Sequence, residues 1–228
     1  MKWSAFFTSS IGKKFIMTLT GLFLISFLVV HVGLNACIWA NDNGSMFNRA
    51  AHFMGATVVV RLMEVVLFLG LIAHIVQGWV LEVQNRSKRK KGYAIPLANR
   101  GSKWYSRAMG LLGTLLFMFL VMHISHFWVP SRITHDLAQV EYRQVEMHNL
   151  YQRIIEVFQS PVVVILYVLG CLSLMYHLLH GFKSAFRTLG VHNYRYFSLI
   201  KATGYGFSII VCLAFAMMPI SLHFGWVK

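Results

Sequence analysis

Long apolar segments alternate with short polar ones along the whole chain. Five segments, each long enough for a transmembrane helix of about 20 residues, lie at approximately 16–39, 58–80, 109–129, 162–182 and 199–220. The stretches between them carry most of the charged residues. This pattern predicts an all-α integral membrane protein, in which residues 1–228 form a single membrane domain with five transmembrane helices in a bundle.

The composition agrees with a membrane location. Hydrophobic residues make up 57% of the 228 residues and charged residues only 12%, whereas a typical soluble domain has about 25% charged residues. The first apolar segment is longer than the hydrophobic region of a secretory signal and lacks the usual small-residue cleavage site, so we expect it to be a span. The three cysteines form no Cys-x-x-Cys-His motif, which excludes covalently attached haem.

The basic residues are distributed unequally between the two sets of loops. Of the 21 Lys and Arg residues, 15 lie before the first span or in the loops after the second and fourth spans. Five lie in the other loops or at the C-terminus, and Arg61 lies inside a predicted span. Because loops rich in Lys and Arg stay in the cytoplasm, we predict a cytoplasmic N-terminus and a C-terminus outside. Topology then accounts for the net charge of +14 without nucleic-acid binding.

The outer loops carry three local expectations. The tetrapeptide Asn-Asp-Asn-Gly at 41–44 predicts a turn after the first span. Pro130 is expected to end the third span. Apolar residues spaced through the long loop at 131–159 predict a short amphipathic helix at the membrane face.

One histidine lies deep in each of the first four predicted spans: His31, His74, His123 and His177. An ionisable side chain inside a span usually marks a functional site, and neutral imidazole is a good axial ligand of haem iron. Counted from the nearest cytoplasmic charge, His31 and His123 lie roughly 25 Å deep, and His74 and His177 roughly 15–18 Å. The sequence therefore predicts an outer pair, His31/His123, and an inner pair, His74/His177, each binding the iron of one b haem.

Glycines at fixed distances from these histidines indicate an internal repeat. A Gly-x9-His pattern in the first and third spans and a His-x3-Gly pattern in the second and fourth involve Gly21, Gly113, Gly78 and Gly181. His126 and His180 lie one turn beyond His123 and His177, and depth alone does not separate the neighbours. The repeat favours His123 and His177 as ligands. His180 is then a candidate contact of a haem propionate or a quinone, with plain packing as the alternative.

Two charged residues in the second span form a separate candidate site. Arg61 and Glu64 are three residues apart, so they share one face of the helix and can pair. They lie on the outer side of His74, near the level of the outer haem. We expect Arg61 to contact a haem propionate and Glu64 to serve the protonation of a quinone. An ion pair that only stabilises the bundle is the alternative.

Two stretches around the histidines carry a family resemblance. His177-Leu-Leu-His-Gly181, followed by Leu189-Gly190, is similar to a His-x3-Gly stretch and a later Trp-Gly, and His-Val-Gly-Leu-Asn at 31–35 is similar to a first ligand motif. The chain resembles the dihaem cytochrome b anchor of succinate:quinone oxidoreductases, that is, succinate dehydrogenase or fumarate reductase with a single large anchor. The loop lengths look most like the version in Bacteroidetes-type bacteria. The alignment also favours His177 over His180.

The resemblance implies a multi-pass subunit of the respiratory chain and the tricarboxylic acid cycle in the bacterial cytoplasmic (inner) membrane. An FAD flavoprotein and an iron–sulfur subunit would dock on the cytoplasmic face and would carry the dicarboxylate chemistry, so this chain would hold no catalytic residue. Electrons would pass between the iron–sulfur clusters and menaquinone through the two haems. Some fumarate reductases of this family have a glutamate two residues before the inner ligand in the fourth span, where this chain has Met175.

Two other functions fit the same four histidines. One is a dihaem cytochrome b subunit of another membrane dehydrogenase, such as a hydrogenase or a formate dehydrogenase. The other is a haem-free transporter or structural membrane protein, in which the histidines pack between helices or handle protons.

Overall fold

A computed structural model describes residues 9–88, 103–142, 144–191 and 193–227. In chain order the elements are α1 (Ser10–Asn35), α2 (Ser45–Ala56), α3 (Val58–Lys88), α4 (Trp104–Arg107), α5 (Met109–His123), β1 (Gln139–Tyr142), β2 (Val145–His148), α6 (Leu150–Phe158), α7 (Pro161–Thr188) and α8 (Tyr194–His223). Five of these, α1, α3, α5, α7 and α8, are the spans. They are long and apolar enough to cross a membrane, which confirms the predicted five-helix bundle. Most of the basic loop after α3 lies outside the described residues.

Successive spans run in opposite directions and give the bundle two ends. We call the end where α1 and α8 begin the N-side and the end where they finish the C-side. On the N-side, Lys103 Nζ donates to the Tyr205 hydroxyl at 2.9 Å, joining the approach to α5 with α8. On the C-side, Trp39 Nε1 donates to Ser221 Oγ at 3.0 Å, joining the short 3-10 helix after α1 with the end of α8.

The helices extend beyond the apolar segments from which they were predicted. The helix α1 begins at Ser10 rather than at about residue 16, and α7 ends at Thr188 rather than at about residue 182. Polar caps explain the early starts: Ser9 Oγ accepts the N–H of Gly12 at 3.0 Å, and Asn193 Oδ1 accepts the N–H of Arg195 at 3.0 Å. Hydropathy detects only the part of a helix that lies in hydrocarbon, so it misses such polar ends.

Pro130 does not end the third span, contrary to the expectation from the sequence. The helix continues past α5 in two wide π-helical turns, Ile124–Trp128 and Pro130–Thr134, and stops at His135, whose φ is 51°. A proline has no N–H to donate, and the wider turns accept its ring without breaking the helix. The carbonyl of Pro130 accepts the N–H of Asp136 at 3.2 Å, which closes the last turn.

Small residues allow α7 and α8 to pack closely against their neighbours. A Cβ atom on Gly204 of α8 would lie 2.6 Å from Cδ1 of Phe182 in α7, and Gly170 of α7 packs against the ring of Phe119 in the same way. Close approach at small side chains is a common basis of helix association in membranes. The helix α3, by contrast, exposes most of its apolar side chains, as expected for a helix at the edge of the bundle that faces lipid.

A small layer on the C-side contains a β-hairpin where the sequence predicted helix. The strands β1 and β2 pair antiparallel, with Val140 opposite Met147, and the turn between them places Gln144 at φ 65°. After the π-helical turn that ends at Thr134, the loop becomes helical again only at Leu150, as α6. The prediction of an amphipathic helix is therefore wrong for the first half of the loop, because its β-branched and apolar residues alternate at the period of a strand.

One buried asparagine joins the parts of this C-side layer. Asn48 of α2 has none of its surface exposed. Its Oδ1 accepts the N–H of Tyr151 at 2.9 Å, and its Nδ2 donates to Asn149 Oδ1 at 2.9 Å. The predicted turn at 41–44 is present, and it ends at Gly44 with φ 78°, where the ring of Tyr151 leaves no room for a Cβ atom.

Candidate functional site

The first pair of predicted ligands meets between α1 and α5. The ring centroids of His31 and His123 are 5.8 Å apart and their planes are nearly perpendicular, at 89°. Phe27 stacks on His31 at 5.1 Å and Phe119 stacks on His123 at 5.6 Å. Phe215 of α8 lies 5.5 Å from His31. Aromatic side chains thus surround two facing imidazoles and keep the surroundings apolar.

The second pair meets nearer the N-side, between α3 and α7. The ring centroids of His74 and His177 are 6.2 Å apart, with an angle of 62° between the planes. Gly21 of α1 lies beside this pair, since a Cβ atom there would be 3.4 Å from His74 Cε1. The four histidines therefore form the two pairs expected from counting residues, one at each level of the bundle.

Both separations suit a metal ion held between two imidazoles. A metal–imidazole bond is about 2.0–2.1 Å long, so two nitrogens on opposite sides of one ion are about 4 Å apart and the two ring centres about 6 Å. The observed distances of 5.8 and 6.2 Å agree with this value. Within the described parts of the chain, no three His, Cys, Asp or Glu side chains gather to hold a bare metal ion. Two imidazoles suit an iron whose other four ligands come from a macrocycle.

The surroundings of the pairs also fit a flat macrocycle. Gly113 and Gly181 are partly buried, yet a Cβ atom on either would meet nothing within 4 Å among the described atoms. Open space therefore lies against the backbone of α5 at Gly113 and of α7 at Gly181. Gly181 is one helical turn from His177. Gly78 is different, because a Cβ atom there would lie 3.1 Å from Met17 Cε, so this glycine serves the packing of α3 on α1.

The second nitrogen of each imidazole has its own environment. His74 Nδ1 lies 3.1 Å from the hydroxyl of Thr20, and His31 Nδ1 lies 3.4 Å from the Asn35 amide nitrogen. The Nδ1 atoms of His123 and His177 are buried without a hydrogen-bond partner. A hydrogen bond accepted from Nδ1–H orients an imidazole and leaves Nε2 for a metal. The Thr20 oxygen can accept such a bond, whereas the Asn35 amide nitrogen is a donor only.

The two neighbouring histidines have other surroundings. The Nδ1 of His126 lies 3.0 Å from the hydroxyl of Tyr167, and the two rings stack at 5.9 Å. The carbonyl of His126 accepts a hydrogen bond of 3.1 Å from Arg153 Nε. His180 lies one turn after His177, partly buried on α7. The structure thus brings His123 and His177, rather than these neighbours, against the histidines of the facing helices.

Glu64 lies at the centre of a polar cluster at the C-side end of α3. Its Oε2 is 3.1 Å from Arg61 Nη1, its Oε1 accepts a 2.6 Å hydrogen bond from Trp128 Nε1, and Arg132 Nε lies 3.8 Å from Oε1. Only 20% of the Glu64 side chain is exposed, against 48% for Arg61. The expected Arg61–Glu64 pair is present, and two residues from the third span complete it.

Sequence reasoning missed Trp128 and Arg132 as members of this cluster. Both lie in the π-helical turns around Pro130, where the direction of a side chain cannot be read from an α-helical period. The one signal that pointed to them is the position of Arg132, a cation at the end of an apolar segment near the predicted depth of Glu64.

The chain resembles a known bacterial protein over most of its length. The succinate dehydrogenase cytochrome b558 subunit of Bacillus subtilis (strain 168) is 27% identical to it over 173 residues, which cover 75% of this chain and 73% of that protein. No family model matches the chain, and no solved structure does. Together with the five apolar helices, this relative confirms the prediction of a bacterial multi-pass inner membrane protein. The chain is similar, along 75% of its length, to a cytochrome b subunit of succinate dehydrogenase.

Proposed function

We propose that this chain is the membrane-anchor and electron-transfer subunit of a bacterial succinate:quinone oxidoreductase and that it binds two b haems. The observation that carries the proposal is the pairing of four histidines from four spans at centroid distances of 5.8 and 6.2 Å. The name of the relative, a cytochrome b subunit of succinate dehydrogenase, supports the choice of enzyme. In the membrane the N-side is the cytoplasmic side, as the distribution of basic residues predicts.

His31 and His123 would hold the iron of the outer haem, and His74 and His177 would hold that of the inner haem. Haem supplies reversible one-electron chemistry in a medium that excludes water. The helix α1 contributes to both levels, because Thr20 contacts His74 and His31 faces His123. Eleven residues separate these two positions, which is about 16 Å along the helix and more than the difference of roughly 7–10 Å in depth counted from the nearest cytoplasmic charges. On this proposal, two redox centres lie one above the other across the bilayer.

Glu64 serves proton exchange with menaquinone on the outer side. A carboxylate in a membrane protein is costly unless it is paired, and here Arg61, Arg132 and Trp128 stabilise it. Arg61 is half exposed and can turn toward a propionate of the outer haem. An ion pair that only holds α3 against the third span is the alternative, and the quinone turnover of a Glu64→Gln variant distinguishes the two.

His180 and the N-side surface complete the proposal. His180 is a contact of a propionate of the inner haem or of a quinone, one turn beyond His177 on α7.

The flavoprotein with FAD and the iron–sulfur subunit dock on the N-side. Cations line this end: Lys183 Nζ and Arg187 Cζ lie 5.6 and 5.2 Å from the ring centre of Phe197. Met175 replaces the glutamate of some fumarate reductases, so proton transfer through that position is not part of the proposal.

The test is purification of the complex, followed by haem quantitation, a reduced-minus-oxidised spectrum and a succinate-to-quinone assay. We expect two haems per chain in the wild type. Alanine in place of any one of His31, His74, His123 or His177 should remove one haem. His126→Ala is the matched control, since it removes an imidazole one turn from His123 and should leave both haems bound.

Three outcomes contradict the proposal in different ways. A colourless wild-type chain would favour a haem-free transporter or structural protein. Two bound haems without succinate activity, together with a hydrogenase or formate dehydrogenase partner, would assign the same histidine pairs to another enzyme. Loss of haem in His126→Ala but not in His123→Ala would exchange the assignment of the outer ligand.

A further inference from the structure

Thr20 of α1 contacts the imidazole of His74 from a third helix. Its Oγ1 lies 3.1 Å from His74 Nδ1 and also 2.8 Å from the carbonyl of Ile16, one turn earlier on α1. The carbonyl of Ile16 can only accept, and at 2.8 Å it is the shorter of the two contacts, so we assign the hydroxyl hydrogen of Thr20 to it. With this assignment the oxygen meets His74 with a lone pair, and His74 Nδ1 is the donor. This fixes the proton of a neutral imidazole on Nδ1 and leaves Nε2 with a free electron pair.

The partner histidine of the same pair lacks such a contact. His177 Nδ1 is buried and has no hydrogen-bond partner among the residues that the structure describes. The internal repeat explains the difference, because the position before Gly21 is Thr20, whereas the position before Gly113 is Leu112, which offers no acceptor. The two imidazoles of the inner pair are thus electronically unequal. A hydrogen bond accepted from Nδ1–H makes the opposite nitrogen a stronger electron donor.

We propose that Thr20 is a positioning residue that orients His74 and tunes the reduction potential of the inner haem through its hydroxyl. The inference rests on the proposed function, since it concerns the metal that His74 and His177 hold. Gly21 assists, because a side chain there would press on His74 Cε1 from 3.4 Å. A more basic His74 stabilises the oxidised iron, so Thr20 keeps the inner haem harder to reduce than it would otherwise be.

The test compares three variants in the purified complex. Thr20→Val keeps the shape of the side chain and removes the hydroxyl, and Thr20→Ser keeps the hydroxyl. Thr114→Val is the matched control, because Thr114 makes the same kind of bond to a carbonyl four residues earlier, Gly110 at 2.9 Å, and its hydroxyl is bonded there within its own helix. The readouts are a redox titration of both haems, the electron paramagnetic resonance spectrum of the oxidised haems and haem content.

We expect Thr20→Val to raise the midpoint potential of one haem and to change its resonance spectrum, while the other haem stays at the wild-type value. A tenfold change in the reduction equilibrium corresponds to about 59 mV for one electron. Thr20→Ser and Thr114→Val should match the wild type. If Thr20→Val loses a haem, Thr20→Ser decides the question: retention with wild-type potentials supports the proposal.

Unchanged potentials in Thr20→Val overturn the inference, and so does an equal effect of valine and serine. Loss of the same haem from both variants overturns it too, because the hydroxyl would then not be the cause. A wild-type chain that binds no haem contradicts the proposed function itself. That outcome is seen before any variant is compared, so the two failures are distinguishable.

Discussion

Trp128 donates a hydrogen bond of 2.6 Å from its indole nitrogen to Oε1 of Glu64, joining the third span to the second at their C-side ends. The same carboxylate pairs with Arg61 through its other oxygen at 3.1 Å. Each oxygen of Glu64 therefore has a partner, and removing either partner should make the charged carboxylate less stable. Glu64→Gln and Trp128→Phe each test this relationship.

Glu64→Gln keeps the shape of the side chain and removes its charge. If Glu64 exchanges protons with the quinone, turnover should fall by about 10²-fold or more, while the haem content and spectrum stay at the wild-type values. The measurement is the succinate-to-quinone assay, with electron transfer from succinate to a soluble acceptor as an internal reference. Glu82→Gln is the control, since Glu82 pairs with Arg86 at 2.6 Å on the N-side end of α3. Unchanged quinone turnover in Glu64→Gln would leave the ion pair a structural role only.

Trp128→Phe tests the contact with Glu64 separately. Phenylalanine keeps an aromatic ring near Phe68, whose ring centre lies 5.0 Å from that of Trp128, but it cannot donate a hydrogen bond. A hydrogen bond to a charged group contributes about 1.5–3 kcal/mol, so quinone turnover should fall, by less than in Glu64→Gln. The double variant should be no slower than Glu64→Gln alone, because both changes act through one carboxylate. Independent, additive losses would contradict this coupling.

Gly181→Leu tests the open space beside the inner pair. A leucine there would fill the volume that the macrocycle needs next to His177, so we expect the haem content to fall from two to one per chain. Gly206→Leu is the control, because a Cβ atom on Gly206 also meets nothing within 4 Å, but this glycine lies on α8, which carries none of the four ligands. Pyridine haemochrome analysis of both purified variants measures the effect. Two haems in Gly181→Leu would mean that this space faces lipid.

Asn48→Ala tests the C-side layer. It leaves the buried N–H of Tyr151 without its acceptor, which should cost about 1–3 kcal/mol. It also removes the bond to Asn149 Oδ1, which keeps the N–H of Gln152 as a donor. Burial raises the pKa of the Tyr151 phenol, so the phenol stays neutral and offers no negative charge to the unpaired N–H. Thermal unfolding in detergent and limited proteolysis of 131–159 measure the loss. Asn85→Ala, at an exposed position near the end of α3, should be neutral, and equal effects of the two variants would contradict the role of Asn48.

The sequence was sufficient for the spans and for the levels of the histidines. Both depend on one-dimensional quantities, namely the length of an apolar segment and the rise of a helix per residue. His31 and His123 meet because they are at similar distances from the same membrane face. The same counting correctly brought His74 opposite His177, although it could not decide which of two neighbouring histidines points inward.

The third span and the loop after it were harder to predict, because local backbone geometry decides them. The turns around Pro130 change the helical period just where Trp128 and Arg132 point toward Glu64. The hairpin at 139–148 escaped notice because each of its strands is only four residues long, which is too short for a clear alternation of polar and apolar residues. The contact of Thr20 with His74 depends on the rotation of α1 about its axis, and hydropathy carries no information on that angle.

The participation of α1 in both histidine pairs has a mechanical consequence. Thr20 and His31 belong to one uninterrupted helix, so their separation is fixed by its covalent length and cannot adjust to movements of the other spans. One residue inserted between them would turn His31 by about 100° relative to Thr20 and point its imidazole away from α5. The interval between these two residues therefore fixes the spacing of the two histidine pairs along the bundle.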